Sequence, residues 1–239
     1  MIDLHTASID IIRAGQSPNG AYAACASFSQ YGYSWLRDGA WIAYGMDQAG
    51  QHDSAATFHR WAGQTLAQYQ DKVDHLLTKL ARRESPAEND YLPTRFELDG
   101  GLGQEDWPDF QLDGYGAWLW GLCQHVTETN NWALWDASRP AVALLVKYLA
   151  ALWQSPNYDC WEEHRQQVHT ATLAALRAWG LPVEPHHAPC LGIDAVVDVC
   201  RSWADGAAWQ RRWPWRPPSA PSAARSIRTW KGSTRAIRA

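Results

Sequence analysis

At 239 residues the chain is long enough for one large domain with an ample core, and its net charge of −4 is unevenly spread, because residues 211–239 carry eight basic residues and no acid. No apolar run approaches a membrane span, and Met1-Ile2-Asp3-Leu4-His5 has neither the basic nor the apolar region of a secretory signal. Five widely spaced cysteines without a Cys-x-x-Cys pair argue for reduced thiols, against a disulfide framework and against structural zinc.

In chain order, residues 3–13 predict a short opening helix, followed by the turn cluster Gln16-Ser17-Pro18-Asn19-Gly20 and an aromatic loop through Tyr31 and Tyr33. A helix is expected from Trp35 to Gln48, ended by Gly50. Asp53 is placed to cap a long helix carrying Phe58, Trp61, Leu66, Tyr69, Val73, Leu76, Leu77 and Leu80 at three- and four-residue steps. Residues 83–109, rich in Pro, Gly and acids, read as a long loop, and loops of that length inside a domain usually carry function. Helical pattern returns over Leu112–Val126, Trp132–Trp153 and Glu162–Trp179, and more weakly around Ile193, Val196, Val197 and Cys200. The expectation is an all-α domain over residues 1–205 and a basic Pro/Arg/Ser/Ala-rich tail over 206–239. That tail lacks any amphipathic period and reads as disordered or non-native rather than as a nucleic-acid or membrane arm.

Sixteen tryptophans against four phenylalanines suit a protein that handles a polar, ring-shaped ligand, since an indole offers a large apolar face and one N–H donor. Three segments pair tryptophan with the polar groups a sugar needs. In Trp35-Leu36-Arg37-Asp38, adjacent guanidinium and carboxylate are suited to grip vicinal hydroxyls as donor and acceptor. Trp107-Pro108-Asp109-Phe110-Gln111-Leu112-Asp113-Gly114 closes the long loop and opens a helix. Tyr158-Asp159-Cys160-Trp161-Glu162-Glu163 sets an indole beside two acids, an environment that favours a protonated carboxyl by desolvation and like charge, and so acid-assisted cleavage of a glycosidic bond.

In this order and spacing the three segments resemble glycoside hydrolase family 15, the glucoamylase-like enzymes, over residues 17–180, and His169-Thr170-Ala171-Thr172-Leu173-Ala174 is similar to the stretch that follows the acid in bacterial members. The resemblance implies an (α/α)6 barrel of two concentric helical rings, here about half of one. It implies an inverting exo-acting hydrolase that releases glucose from the non-reducing ends of α-glucans such as starch, dextrin or maltooligosaccharides, working in carbohydrate metabolism without metal or cofactor. On that pattern Glu162 is the general acid. Arg37 and Asp38 hold the terminal glucose; Trp35, Trp107, Gln111, Asp113 and Trp161 surround it; Asp159 and Glu163 bond the substrate or its neighbours.

An inverting enzyme also needs a second carboxylate roughly 6.5–9.5 Å from the acid to activate water. The acids after Glu163 are Glu184, Asp194, Asp198 and Asp205, and none stands in a context matching the family's base. The sequence therefore leads to the expectation of a truncated or frame-disrupted, cytoplasmic member with little or no activity. The competing readings are a non-catalytic carbohydrate-binding or regulatory module on the same fold, and trehalose cleavage. A metal site of His164, His169, His186, His187 and Cys190 ranks last, because adjacent histidines rarely point at one ion.

Overall fold

The structure, a computed structural model, describes residues 3–25, 27–103, 105 and 107–178. Among them are seven helices and one pair of two-residue strands. Helix α1 (Leu4–Ala14) starts at Asp3, whose side chain accepts the backbone N–H of His5, and ends at Gly15. It leaves Leu4 and Ile11 exposed while Ile9 and Ile12 pack on the core.

Helix α2 (Leu36–Gln48) buries Leu36, Gly39, Ala40, Ala43, Met46 and Asp47, a stripe at three- and four-residue steps. Small side chains there let α3 (His52–Ala67) come close: Phe58 lies where a Cβ on Gly39 would stand. Helix α5 (Asp113–Thr129) runs beside α2 and is closed by Asn130 in the left-handed conformation, φ 55°. Helix α6 (Trp132–Leu152) is capped by Asn131, whose side chain accepts the N–H of Leu134 at 3.1 Å, and it packs on α3 where Gly63 faces Ser138. Helix α7 (Thr170–Ala178) lies on α5, its Ala175 backbone against Gly116. The helices α2, α5 and α7 thus stand side by side, with α3 and α6 as a second layer behind. This is an incomplete double ring, a partial (α/α)6 barrel. The core between the layers is built from Leu36, Phe58, Trp61, Tyr115, Trp118, Leu145 and Tyr148.

One polar cluster sits inside that core. The Asp47 carboxylate meets Nδ1 of His125 at 3.0 Å and Nδ1 of His52 at 2.9 Å. His59 packs against His125 with ring centroids 5.4 Å apart, and both of its ring nitrogens are buried without a hydrogen-bond partner.

The structure departs from the sequence-based expectations at four places. The long helix expected from Asp53 to Leu80 is two helices, α3 and α4 (Gln70–Ala81), and Asp53 lies in the first turn of α3 rather than capping it. The break falls where Tyr69 packs on Phe96 and donates its hydroxyl to the Gly100 carbonyl, a tie to the long loop that periodicity does not register. That loop is not structureless: its Arg95–Phe96 (β2) pairs antiparallel with Ser34–Trp35 (β1), Trp35 opposite Arg95. The helix expected over Glu162–Trp179 begins only at Thr170, because residues 155–169 are held as a loop by their own hydrogen bonds. Cys123 is disulfide-bonded, against the expectation of reduced thiols, while Cys25 and Cys160 are free. The weak helix near Ile193 and the tail 206–239 lie outside the described residues.

Candidate active site

Two helix N-termini and two loops converge at one end of the layers. The first turn of α2 brings Arg37 and Asp38, and the first residue of α5 is Asp113. Arg37 Nη1 donates to Gln111 Oε1 at 2.9 Å and to Asp113 Oδ2 at 3.0 Å, and Arg37 Nε lies 3.7 Å from Asp38. Asp113 is only 7% exposed, so this pair is a largely desolvated one. Its other oxygen, Oδ1, is buried and has no partner. Gly114 lies close by: a Cβ there would make ordinary contact with Arg37, 3.4 Å from its backbone nitrogen. A small cleft opens above them, lined by Trp35, Leu36, Arg37, Thr94, Gln111 and Tyr115. Burial pushes the Asp38 carboxyl above its usual range; the Arg37 charge opposes this, and Asp113 and Glu162 add to it.

The carboxylate of Glu162 lies against two indoles. Oε1 accepts the Trp107 Nε1–H at 2.9 Å and the Trp35 Nε1–H at 3.2 Å. The two rings meet edge to face, centroids 5.7 Å apart, and Tyr31 and Tyr33 continue the aromatic wall around Trp35. Behind the wall Arg95 is buried, 2% exposed, with its guanidinium carbon 4.0 Å from the ring centroids of both Tyr33 and Trp107.

The loop bearing Glu162 is self-supporting. Asp159 Oδ1 accepts the backbone N–H groups of Trp161 and Glu163, each at 2.9 Å, and the Glu162 N–H donates to the Asp159 carbonyl. Desolvation pushes the Asp159 carboxyl up, but those two N–H bonds, first Glu163 and then Trp161, bring it below its usual range. His169 Nε2 bonds the carbonyls of Asn157 and His164, and the Tyr158 N–H reaches the Phe110 carbonyl, which moors the loop to the second motif. Glu162 takes φ 65° and His164 φ 52°, left-handed values that are rare for such side chains and cluster at functional sites.

The structure therefore brings Trp35, Arg37, Asp38, Trp107, Gln111, Asp113 and Glu162 together, and it places three other motif residues differently. Trp161 does not shield Glu162: it is 80% exposed, and the indoles that bond Glu162 are those of Trp35 and Trp107. Glu163 is exposed, with its carboxylate 3.6 Å from Nε2 of His164. Asp159 shapes the turn. Arg95 and Thr94, which bonds the Asp109 side chain through its N–H, were missed in the sequence because nothing in their spacing marks them. The one available signal is an arginine amid acids, one of two in the loop 83–109. Among the described residues, no group of His, Cys, Asp and Glu is arranged to hold a metal ion. His186, His187 and Cys190 lie outside them.

Residues 4–179 match the family model of glycosyl hydrolases family 15. The chain belongs to that family. It is 41% identical over 171 residues to isomaltose glucohydrolase of Kribbella flavida, a match covering 70% of this chain and 43% of that protein. Among solved structures it resembles a wild-type glycosidase at 37% identity and TM-score 0.71, and a variant glycosidase in complex with glucose at 37% identity and TM-score 0.72. Each of these two matches covers 84% of this chain and 54% of the other. The chain thus spans about half the length of the relatives it matches.

Proposed function

We propose that this family 15 chain carries the glucose grip and the proton donor of an inverting, exo-acting α-glucoside hydrolase that releases glucose from non-reducing ends. The observation that carries the reading is the Glu162 carboxylate held by the indoles of Trp35 and Trp107, beside the Arg37–Gln111–Asp113 cluster. A carboxyl group positioned by two fixed donors, one of which (Trp35) lines the cleft beside a guanidinium and an amide, is suited to protonating a glycosidic oxygen. In this reading Arg37 and Asp38 bond the hydroxyls of the terminal glucose, Gln111 and Asp113 fix the Arg37 fork, and the exposed Trp161 and Glu163 face the sugar being released. Short α-glucosides are the proposed substrates. Similarity to an isomaltose glucohydrolase supports including isomaltose beside maltooligosaccharides. Among the described residues no helix is long and apolar enough to cross a membrane.

The partner carboxylate that activates water is not assigned to any described residue, so the proposed turnover is slow. The test is hydrolysis of isomaltose and maltose alongside calorimetric binding of glucose. Glu162→Gln should lower hydrolysis on the order of 10²–10⁴-fold, the usual worth of a general acid, with glucose affinity retained. A Glu162→Gln protein that turns over like the parent refutes the acid assignment. Glucose binding in a parent with no turnover at all favours the second reading, a carbohydrate-binding module on the same scaffold, which the intact Arg37–Gln111–Asp113 grip supports.

A further inference from the structure

The two indoles that hold Glu162 come from distant parts of the chain, and one buried cation touches both. Trp35 belongs to β1 and Trp107 to the loop before α5. Arg95, in β2, is paired with Trp35 through the backbone register. Its guanidinium is sandwiched between Tyr33 and Trp107, 4.0 Å from each ring centroid, and stands 5.7 Å from the Trp35 ring. Its Nη2 meets Glu105 at 3.2 Å, and its Nη1 is 3.5 Å from the Gln30 carbonyl. An arginine is ordinarily left in water. One that is almost wholly buried between two aromatic faces, with its carboxylate partner among the described residues 62% exposed, is held there by the rings it stacks on.

We infer that Arg95 is a positioning residue that fixes the Trp107 indole so that its N–H points at Glu162 Oε1. The inference rests on the reading of Glu162 as the acid and deepens it. Among the described residues between β2 and α5 there is no helix or strand, so no backbone ladder orients the Trp107 ring. The observed restraints on that ring are the guanidinium on its face, the edge contacts with Trp35 and Tyr31, and the carboxylate at its nitrogen. Trp35 is different, since β pairing and the start of α2 hold its backbone whatever the side chain at position 95. Loss of the guanidinium therefore frees one donor and spares the other.

The test reads the two indole N–H resonances in the full chain labelled with ¹⁵N-tryptophan, assigned by Trp35→Phe and Trp107→Phe. With the parent at position 95, Glu162→Gln shifts both resonances. In an Arg95→Met background, Glu162→Gln should still shift Trp35 but leave Trp107 unmoved. Arg95→Lys, which keeps a cation near the ring faces, should restore part of the Trp107 response. A Trp107 response that survives Arg95→Met overturns the inference. So does loss of both responses that lysine fails to restore, because the residue would then serve the fold alone. Failure of the hydrolase reading has another signature: resonances that behave as stated in a protein that cleaves no α-glucoside leave the Arg95 assignment standing.

Discussion

Two glycines of α2 isolate the close approach that sets the site's scaffold. A Cβ built on Gly39 would stand 2.3 Å from Cε2 and Cζ of Phe58, a contact that something must yield to relieve. Phe58 has little room to yield. It is fully buried, stacked on Tyr22 at 5.2 Å and packed by Trp61 at 5.9 Å. A Cβ on Gly45, in the same helix, would meet nothing within 4 Å. Replacing either glycine by alanine gains about 1 kcal/mol of helix propensity, so this gain cancels when the two variants are compared. What remains is the overpacking at Gly39, which at the upper end of its range is about 3 kcal/mol. For a domain of this size that corresponds to roughly 6–12 °C in melting temperature. Gly45→Ala should melt about 2–4 °C above the parent, and Gly39→Ala well below it. The assay is thermal unfolding followed by circular dichroism, and it needs no turnover. Because Gly39 lies two residues from Arg37, the displaced helix should also weaken glucose binding in Gly39→Ala and not in Gly45→Ala. Two variants that melt within about 2 °C of each other would refute the argument.

The buried His59 ties stability to pH. Burial, and then the neighbouring His125, pulls its pKa down from 6.5 to about 3. The unfolded chain therefore takes up this proton first, so the site's contribution is complete above pH 6.5 and drains away as the pH falls toward 3. His59→Leu abolishes that drain and moves the acid-unfolding midpoint to lower pH; an unchanged midpoint counts against it. At the start of α6, Asn131→Ala leaves the Leu134 N–H without its cap and should lower stability by about 1 kcal/mol in urea titration, and no change would show that water replaces the cap.

Helices α1, α2, α5 and α6 were legible because their apolar residues repeat at helical spacing, with a recognisable end such as Gly50 after α2. The three tryptophan–acid segments were legible too, as residue types whose chemistry suits a sugar. What one-dimensional spacing does not carry is who meets whom. Trp161 neighbours Glu162 in the chain and shares no hydrogen bond with it, whereas Trp35, 127 positions away, donates to it. No periodicity announces φ 65° at a glutamate. The break at Gln68 was invisible for a related reason, since the contact of Tyr69 with Gly100 lies across a loop whose path composition does not reveal. Arg95 read as one more charge in a polar loop until the rings on either side of it were in place.

Trp35 closes β1, sits at the entrance of α2 two positions ahead of Arg37, and bonds the carboxylate across the cleft. In the proposed reading the grip and the donor are thereby geared to one another: a shift in the opening turn of that helix moves an indole N–H that holds the Glu162 carboxylate.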